Sequence, residues 1–465
     1  MNTLPDASLF RAYDLRGIFG KTLHAEDCYA LGQAFASHVV DTVNCRTPQI
    51  VLMRDGRHSS PALAHAMREG LASAGATVLD AGTGPTPMCY FATHFLAADG
   101  SVMITGSHNP KDHNGAKFTC LGASVHGEAL AHLRRRIETQ ELVRGRGHSE
   151  EVSIQEDYIA ELKKALPIGL DAHDLNIVWD AGNGAAGEVI AALINDDDTD
   201  ALALYTTMDG DFPNHHPDPS DAKNLISLQK AVKSRSALMG LAFDGDGDRL
   251  GVVDERGKII SPDHLLMLFA KDVLSRKQDT TIIADVKTSD AFFRQVAAWG
   301  GHPLMWKTGH ALIKDKMRET HATFAGEASG HIFFADEYYG YDDALYAAMR
   351  LIRIVVESKR PLSALVEALP ILYSSTEWRI PVDDSKKFGI IESLAAMLVK
   401  DGAAINQLDG VRVTNEYGWW LVRASNTDAK LVARCEGYTP EGLQHQRSAL
   451  AGYLGRHNIG LPAAA

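Results

Sequence analysis

Gln49-Ile50-Val51-Leu52-Met53, the loop Arg54-Asp55-Gly56-Arg57, a helical run from Pro61 to Ala74, and Ala76-Thr77-Val78-Leu79-Asp80 form one continuous stretch. An apolar run of strand length bounded by charged and glycine residues reads as a buried strand, and the proline opens the helix at its first turn, where its missing N–H costs nothing. A second apolar strand follows. Strand, helix, strand in this order is a crossover unit, so the two strands lie parallel in one sheet.

The same order recurs twice. Asn176-Ile177-Val178-Trp179-Asp180, the helical run Glu188 to Ile194 and Ala201-Leu202-Ala203-Leu204-Tyr205 form a second copy. Thr281-Ile282-Ile283-Ala284-Asp285-Val286-Lys287, the helix Ser289 to Trp299 and the strand His302 to Trp306 form a third. Three α/β domains in series follow from this pattern. The charged stretch Arg144 to Glu151, the turn Arg256-Gly257-Lys258 and the region around Pro370 separate them, giving units over 1–152, 153–258 and 259–370. Beyond Pro370 the pattern changes to a strand Ser375 to Ile380, a helix Lys386 to Lys400, closely spaced strands Val411 to Thr414, Trp419 to Arg423 and Lys430 to Cys435, and a helix from Pro440. That is an α+β module over 371–465.

Composition narrows the class. The chain has 465 residues with 45% apolar and 23% charged, an ordinary globular mix, and no apolar run reaches the roughly 20 residues that cross a bilayer. A net charge of −13 argues against nucleic acid or an anionic membrane as partner. The five cysteines are scattered and never paired as CxxC, which fits a reducing compartment, and Met1 to Asp6 carries no secretion signal, so a cytoplasmic protein is expected.

Four constellations carry chemistry. In Ser101-Val102-Met103-Ile104-Thr105-Gly106-Ser107-His108-Asn109-Pro110 an apolar strand stops at a glycine and displays Ser107, with a proline fixing the turn behind it. Asp244-Gly245-Asp246-Gly247-Asp248-Arg249 follows the apolar run Leu238 to Phe243. Its three carboxylates repel one another, the glycines let them converge, and only a hard divalent cation, magnesium, makes that favourable. The calcium EF-hand is excluded, because Arg249 stands where that loop needs glycine and both flanks are strands. Gly326-Glu327-Ala328-Ser329-Gly330-His331 offers acceptor, hydroxyl and imidazole in one loop, a set able to read sugar hydroxyls. Arg423-Ala424-Ser425-Asn426-Thr427 combines a guanidinium fork with hydroxyls and an amide, suited to a phosphate held without metal. Taken singly, the last two also read as ordinary polar turns. Gly182-Asn183-Gly184-Ala185-Ala186-Gly187 matches the dinucleotide fingerprint GxGxxG, but Asp180 before it and Pro213-Asn214-His215-His216-Pro217 after it are not nicotinamide-site surroundings.

Together these segments resemble the α-D-phosphohexomutase family, within it the bacterial phosphomannomutase/phosphoglucomutase branch, over Tyr13 to Arg434. The resemblance implies a heart of four domains around one central cleft, with Ser107 carrying a phosphoryl group and Asp244, Asp246 and Asp248 binding Mg2+ together with an oxygen on Ser107. It places Glu327, Ser329 and His331 on the sugar loop and Arg423, Ser425, Asn426 and Thr427 on the phosphate loop. It lines the cleft with Tyr13, Arg16, Lys117, Arg249, Lys287 and His310, and makes Lys117 and His331 the proton-handling candidates. Two departures stand out: Ala328 where the branch usually has methionine, and Asp428-Ala429-Lys430 in a turn that often holds proline.

The expected reaction is reversible interconversion of hexose 1-phosphate and hexose 6-phosphate, mannose or glucose, through a hexose 1,6-bisphosphate. A monomer with a phosphate-binding lid as its last domain is expected. The competing readings are a phosphoglucosamine mutase, a metal-dependent sugar phosphatase using Asp244 as nucleophile, and a dehydrogenase.

Overall fold

The computed structural model describes residues 4–194, 200–426 and 428–462 and contains all three strand–helix–strand units. In the first, Gln49–Arg54 pairs in parallel with Thr77–Thr83 on one side and with Gly100–Ile104 on the other, and His113–Cys120 returns antiparallel. In the second, Ile177–Asp180 lies between Leu202–Leu204 and Met239–Phe243, both parallel, and Leu250–Asp254 closes antiparallel. In the third, Thr281–Asp285 lies between His302–Trp306 and Phe324–Gly326, and Ile332–Phe334 closes antiparallel. The sheets are therefore mixed, and each repeat ends in one hairpin. That hairpin opens at the carboxyl end of a parallel strand beside the point where strand order reverses, the usual place for a ligand in such sheets. Residues 105–112, 244–249 and 327–331 are these three hairpin loops.

Two segments differ from the sequence reading. The stretch Arg144 to Glu151, taken as a separator, contains the strand His148–Glu151, which pairs in parallel with Thr77–Thr83 and is exposed throughout. Its charged side chains blunt a sheet edge, and such a strand has no apolar alternation to betray it. The strand expected over Ser375 to Ile380 is two short ones, Tyr373–Ser374 and Trp378–Pro381, both antiparallel to Lys430–Gly437. Glu377 sits at the break between them.

Packing distinguishes the fourth unit. One face of the first sheet is covered by Ala25–Val43, Ser60–Ser73 and Glu128–Thr139, around Leu31, Phe35, Met67 and Leu133. The other face, with Met53, Phe91 and Met103, is continuous with Tyr158, Trp179, Leu266 and Phe334, so one apolar core threads the first three units. The last has its own core around Trp378, Leu394, Trp420 and Leu450. Among the described residues, no helix is long and apolar enough to cross a membrane.

The fourth unit is joined to the third by two buried arginines on either side of the fully buried Trp419. Arg412 donates to Val286 O at 2.6 Å and to Asp290 Oδ1 at 2.5 Å, and lies 3.8 Å from the Trp419 ring centre. Arg434 donates to Lys287 O at 2.7 Å and to Asp263 Oδ2 at 2.5 Å. Burial raises the Asp263 carboxyl, yet Arg434 overcomes this and holds it below the usual carboxylate range. Arg434→Ala leaves a buried carboxylate without its partner, a loss of about 3–5 kcal/mol. Hydrogen exchange should rise along both faces of this joint in the variant; unchanged exchange there would show that the pair does not hold the units together.

Candidate active site

Ser107 lies in the first hairpin loop, 2% exposed, with φ at 48°, a left-handed conformation unusual for a residue with a Cβ. One side chain holds that loop in place. Arg57 donates through Nη1 to Pro110 O (2.6 Å) and His113 O (3.0 Å), and through Nη2 to Ser107 O (2.6 Å) and Asn109 O (2.7 Å). Asp55 completes the brace, accepting from Gly106 N at 3.1 Å and pairing with Arg57 Nε at 3.2 Å. Position 106 must be glycine, since a Cβ there would lie 2.5 Å from the Arg57 guanidinium. The sequence reading passed over Arg57 as a loop residue; its only signal was its place at the carboxyl end of the first parallel strand.

The second hairpin brings Asp244, Asp246 and Asp248, none of them exposed, so that carboxylate oxygens of all three lie within 4.8 Å of one another. Asp244 Oδ1 accepts backbone N–H groups from Asp248 (3.0 Å) and Arg249 (3.1 Å), while its Oδ2 accepts from Ser107 Oγ at 3.0 Å. A Cβ at Gly245 would lie 2.4 Å from Ser107 O, so glycine lets the two loops meet. The GxGxxG segment supports this turn: Ala185 N donates to Gly245 O at 2.9 Å. Asp246 Oδ2 accepts from Thr86 Oγ1 at 2.5 Å and from Lys117 Nζ at 2.7 Å, and Lys117 also donates to Asp248 Oδ2 at 2.6 Å.

Charge at this point does not balance. Burial, with repulsion from Asp248 and Asp246, pushes the Asp244 carboxyl well above its ordinary value. Burial also raises Asp246, but the Lys117 charge and hydrogen bonds from Lys117, Thr86 and Ser107 bring it below the usual range. Lys117, disfavoured as a cation by burial, is held well above its ordinary value by Asp246 and Asp248 and remains an ammonium bridge. Asp246 Oδ1 and Asp248 Oδ1 are buried with no donor among the described residues. An all-oxygen donor set with surplus negative charge and unpartnered oxygens fits a hard divalent cation such as Mg2+.

The third hairpin faces this cluster. Glu327, 1% exposed, accepts from Gly309 N through Oε1 and from Ser329 Oγ at 3.3 Å through Oε2. Arg249 Nε donates to His331 Nε2 at 3.1 Å, and the His310 ring centre lies 5.7 Å from that of His331. Tyr13 lies edge-on to His310 at 6.3 Å, donates to Thr308 O at 2.6 Å and accepts from Asn426 Nδ2 of the fourth unit. Arg16 pairs with Asp14 at 2.9 Å and donates to Asn109 Oδ1 at 3.0 Å, beside Ser107. Lys287 Nζ donates to Glu377 Oε2 at 3.1 Å; burial raises Glu377, but Lys287 and Arg379 bring it to about 2. Arg423 is buried, donates through Nε to Asp409 Oδ2 at 2.8 Å, and has no partner for Nη2 among the described residues. Ser425 is buried, and its Oγ accepts from Asp428 N at 3.1 Å. Thr427 lies outside the described residues.

A chain of contacts thus runs from Ser107 through the aspartates, His331, His310 and Tyr13 to Asn426. The sequence reading did not single out Arg57, Thr86, Lys314, Asp342, Glu377 or Asp409. It quoted His108 only as part of the Ser107 loop. His108 Nδ1 lies 3.1 Å from Ser107 Oγ, and burial with nearby Arg249 and Arg16 keeps this imidazole neutral.

Comparison with known proteins covers the chain end to end. Family models for phosphoglucomutase/phosphomannomutase match in series: alpha/beta/alpha domain I over residues 7–144, domain II over 156–257, domain III over 261–373 and the C-terminal domain over 377–452. A phosphomannomutase/phosphoglucomutase of Pseudomonas aeruginosa is 44% identical over 460 residues, 99% of this chain and 98% of that protein. A phosphoglucomutase of Neisseria gonorrhoeae is 41% identical over 444 residues, 94% of each. The crystal structure of a phosphoglucomutase/phosphomannomutase family protein from Burkholderia thailandensis has a TM-score of 0.89 at 40% identity, covering 99% of both chains.

Mg2+ titrated calorimetrically into the purified protein should bind at one site, and Asp246→Asn should weaken it by at least about tenfold. Equal affinity in the variant would place the cation elsewhere.

Proposed function

The chain belongs to the phosphoglucomutase/phosphomannomutase family, and from that premise we propose that it interconverts hexose 1-phosphates and hexose 6-phosphates through a phosphoserine at Ser107 and a bound hexose 1,6-bisphosphate. The observation that carries this reading is the meeting of two loops from different domains: Ser107 Oγ stands 3.0 Å from Asp244, in a buried cluster of three aspartates. A paired-aspartate phosphatase would have no use for a serine braced in that position by Arg57.

Asp244, Asp246 and Asp248 would hold Mg2+ with an oxygen on Ser107. When bound, the cation neutralises charge developing on the transferred phosphoryl group. The protein's own groups position. Phosphorylated Ser107 carries about −1.5 to −2 charge, and Arg16 and Arg249 stand beside its loop to offset it. The Oγ–P bond breaks as the free sugar hydroxyl forms its own bond to phosphorus, and the proton that the hydroxyl gives up ends on Ser107 Oγ. The bisphosphate turns over in the cleft, and the other phosphoryl group returns to Ser107 Oγ. The phosphate that is not reacting needs a separate anchor, and Arg423, whose Nη2 has no partner among the described residues, together with the backbone of the Ser425 loop, supplies one away from the metal. Glu327 and Ser329 read ring hydroxyls between the two ends. We place the unit boundaries at 152, 258 and 370, with the last unit closing over the substrate.

Mass spectrometry of the isolated protein should show one phosphate, at Ser107. Ser107→Ala should abolish turnover and leave the thermal transition in place. Consistent phosphorylation at another residue, with none at Ser107, would end the proposal.

Substrate breadth follows from the turn. Exchanging the ends of the bisphosphate swaps O1 with O6 and approximately O3 with O4, so Glu327 and Ser329 serve both orientations only by reading O3 and O4. The C2 substituent has no fixed partner, and glucose and mannose differ only there. Both 1-phosphates should be converted with specificity constants within about a hundredfold, since a position that is not paired discriminates weakly. A ratio beyond about 10⁴, measured on one preparation, would mean that C2 is read by a dedicated hydrogen bond. A clear preference for glucosamine 1-phosphate would shift the substrate assignment.

A further inference from the structure

A buried carboxylate behind His331 has no part in the reading above. Asp342 has no exposed surface, and the backbone delivers it: Phe333 and Asp342 form an antiparallel bridge, and Asp343 N donates to Ile332 O at 3.2 Å. The next residues begin the helix Ala344–Ser358, which Asp343 caps. Asp342 therefore cannot swing away from the strand that follows His331.

Its two oxygens face different groups. Oδ1 accepts from Lys314 Nζ at 3.0 Å; Oδ2 lies 3.2 Å from His331 Nδ1 and 3.6 Å from His310 Nδ1. Burial would raise this carboxyl, but the Lys314 ammonium, foremost among its neighbours, holds it well below its ordinary value, so it stays ionised. On the other edge of the His331 ring, Nε2 accepts from Arg249 Nε at 3.1 Å. A neutral imidazole whose Nε2 is an acceptor carries its proton on Nδ1. The carboxylate oxygens nearest Nδ1 are Asp342 Oδ2 at 3.2 Å and, at 3.5 Å, Asp248 Oδ1, which belongs to the cation cluster; among the described residues neither is aligned with Nδ1 as a hydrogen bond, so Asp342 acts on the ring as a close, buried charge.

We propose that Asp342 is a positioning residue that holds His331 in the Nδ1–H tautomer and fixes its ring, so that the single Nε2 lone pair is Arg249's acceptor. Through that acceptor the effect crosses the domain boundary. Arg249 and His331 also form a backbone bridge, so the cation loop and the sugar loop are joined through side chains and main chain alike. With the proton on Nε2 instead, two donors would face each other and Arg249 would leave its place beside the Ser107 loop. The arrangement follows the general logic of a buried carboxylate orienting a histidine through its far nitrogen.

The kinetic consequence rests on the mutase reading; the tautomer does not. The protein is labelled with ¹⁵N-histidine, and the His331 signals are identified by their loss in His331→Gln. Wild type should show a protonated Nδ1 and a bare Nε2. In Asp342→Asn the side-chain amide can face Nδ1 as a donor, so the tautomer should reverse and kcat should fall by about 10²–10⁴, with KM and Ser107 phosphorylation little changed. Asp342→Glu should keep the tautomer and recover part of the rate. A wild-type His331 protonated at Nε2, or Asp342→Asn with tautomer and kcat both unchanged, would overturn the proposal. The wild-type spectrum alone decides if that variant does not fold. Wild-type protein that turns over no hexose phosphate would sink the mutase reading while the spectrum still reports on Asp342.

Discussion

Three buried carboxylates that repel one another within 4.8 Å set the terms for the rest of the molecule. At an effective dielectric of about 20, two unit charges at that separation cost several kcal/mol, and three cannot be buried without cations. Lys117 comes from the first domain to bridge two of them, Thr86 donates from the helix below, and the backbone of 248–249 turns two N–H groups onto the third. One ammonium does not offset three carboxylates. That shortfall is what would make a bound cation favourable there, and it explains why basic groups cluster locally in a chain whose net charge is −13.

Convergence on that point follows from repetition. Each of the first three units ends in a hairpin that opens at the carboxyl end of a parallel strand, so the same position in three copies supplies the serine, the aspartates and the loop 327–331. A single apolar core through these units then fixes the loops relative to one another. Loops from separate domains would otherwise wander by more than the tolerance of a hydrogen bond. Here Ser107 O, Gly245 and Arg57 pack so closely that two of the positions involved admit no Cβ.

How much of this was legible depended on whether a residue's role left a mark on its neighbours in sequence. The parallel units were legible because buried strands are apolar runs, and the aspartate triad because such a cluster has few other physical reasons to follow one. Ser107 showed itself by the glycine and proline around it. Arg57 did not, because a buried arginine in a loop looks like an exposed one, and its four acceptors are main-chain carbonyls fifty or more residues away. Asp342 was hidden among Asp336, Glu337 and Asp343, where local charge reads as a solvated turn. The edge strand His148–Glu151 has no buried face, so no periodicity marks it.

The fourth unit reaches its neighbours by two kinds of contact of different strength. Against the third unit it presents Arg412, Trp419 and Arg434, all buried, and separating them would expose both an aromatic face and paired charges. Against the first and second it presents isolated polar links: Asn426 to Tyr13, Arg11 to Asp384 at 3.6 Å, and Arg379 to Ser220 at 3.2 Å and Asp218 at 3.7 Å. Partly exposed pairs of this kind contribute roughly 0–1 kcal/mol each, because water replaces them readily. The buried arginine pair ties the fourth unit to the third, and Tyr13, which touches both His310 and Asn426, sits where the first, third and fourth units meet.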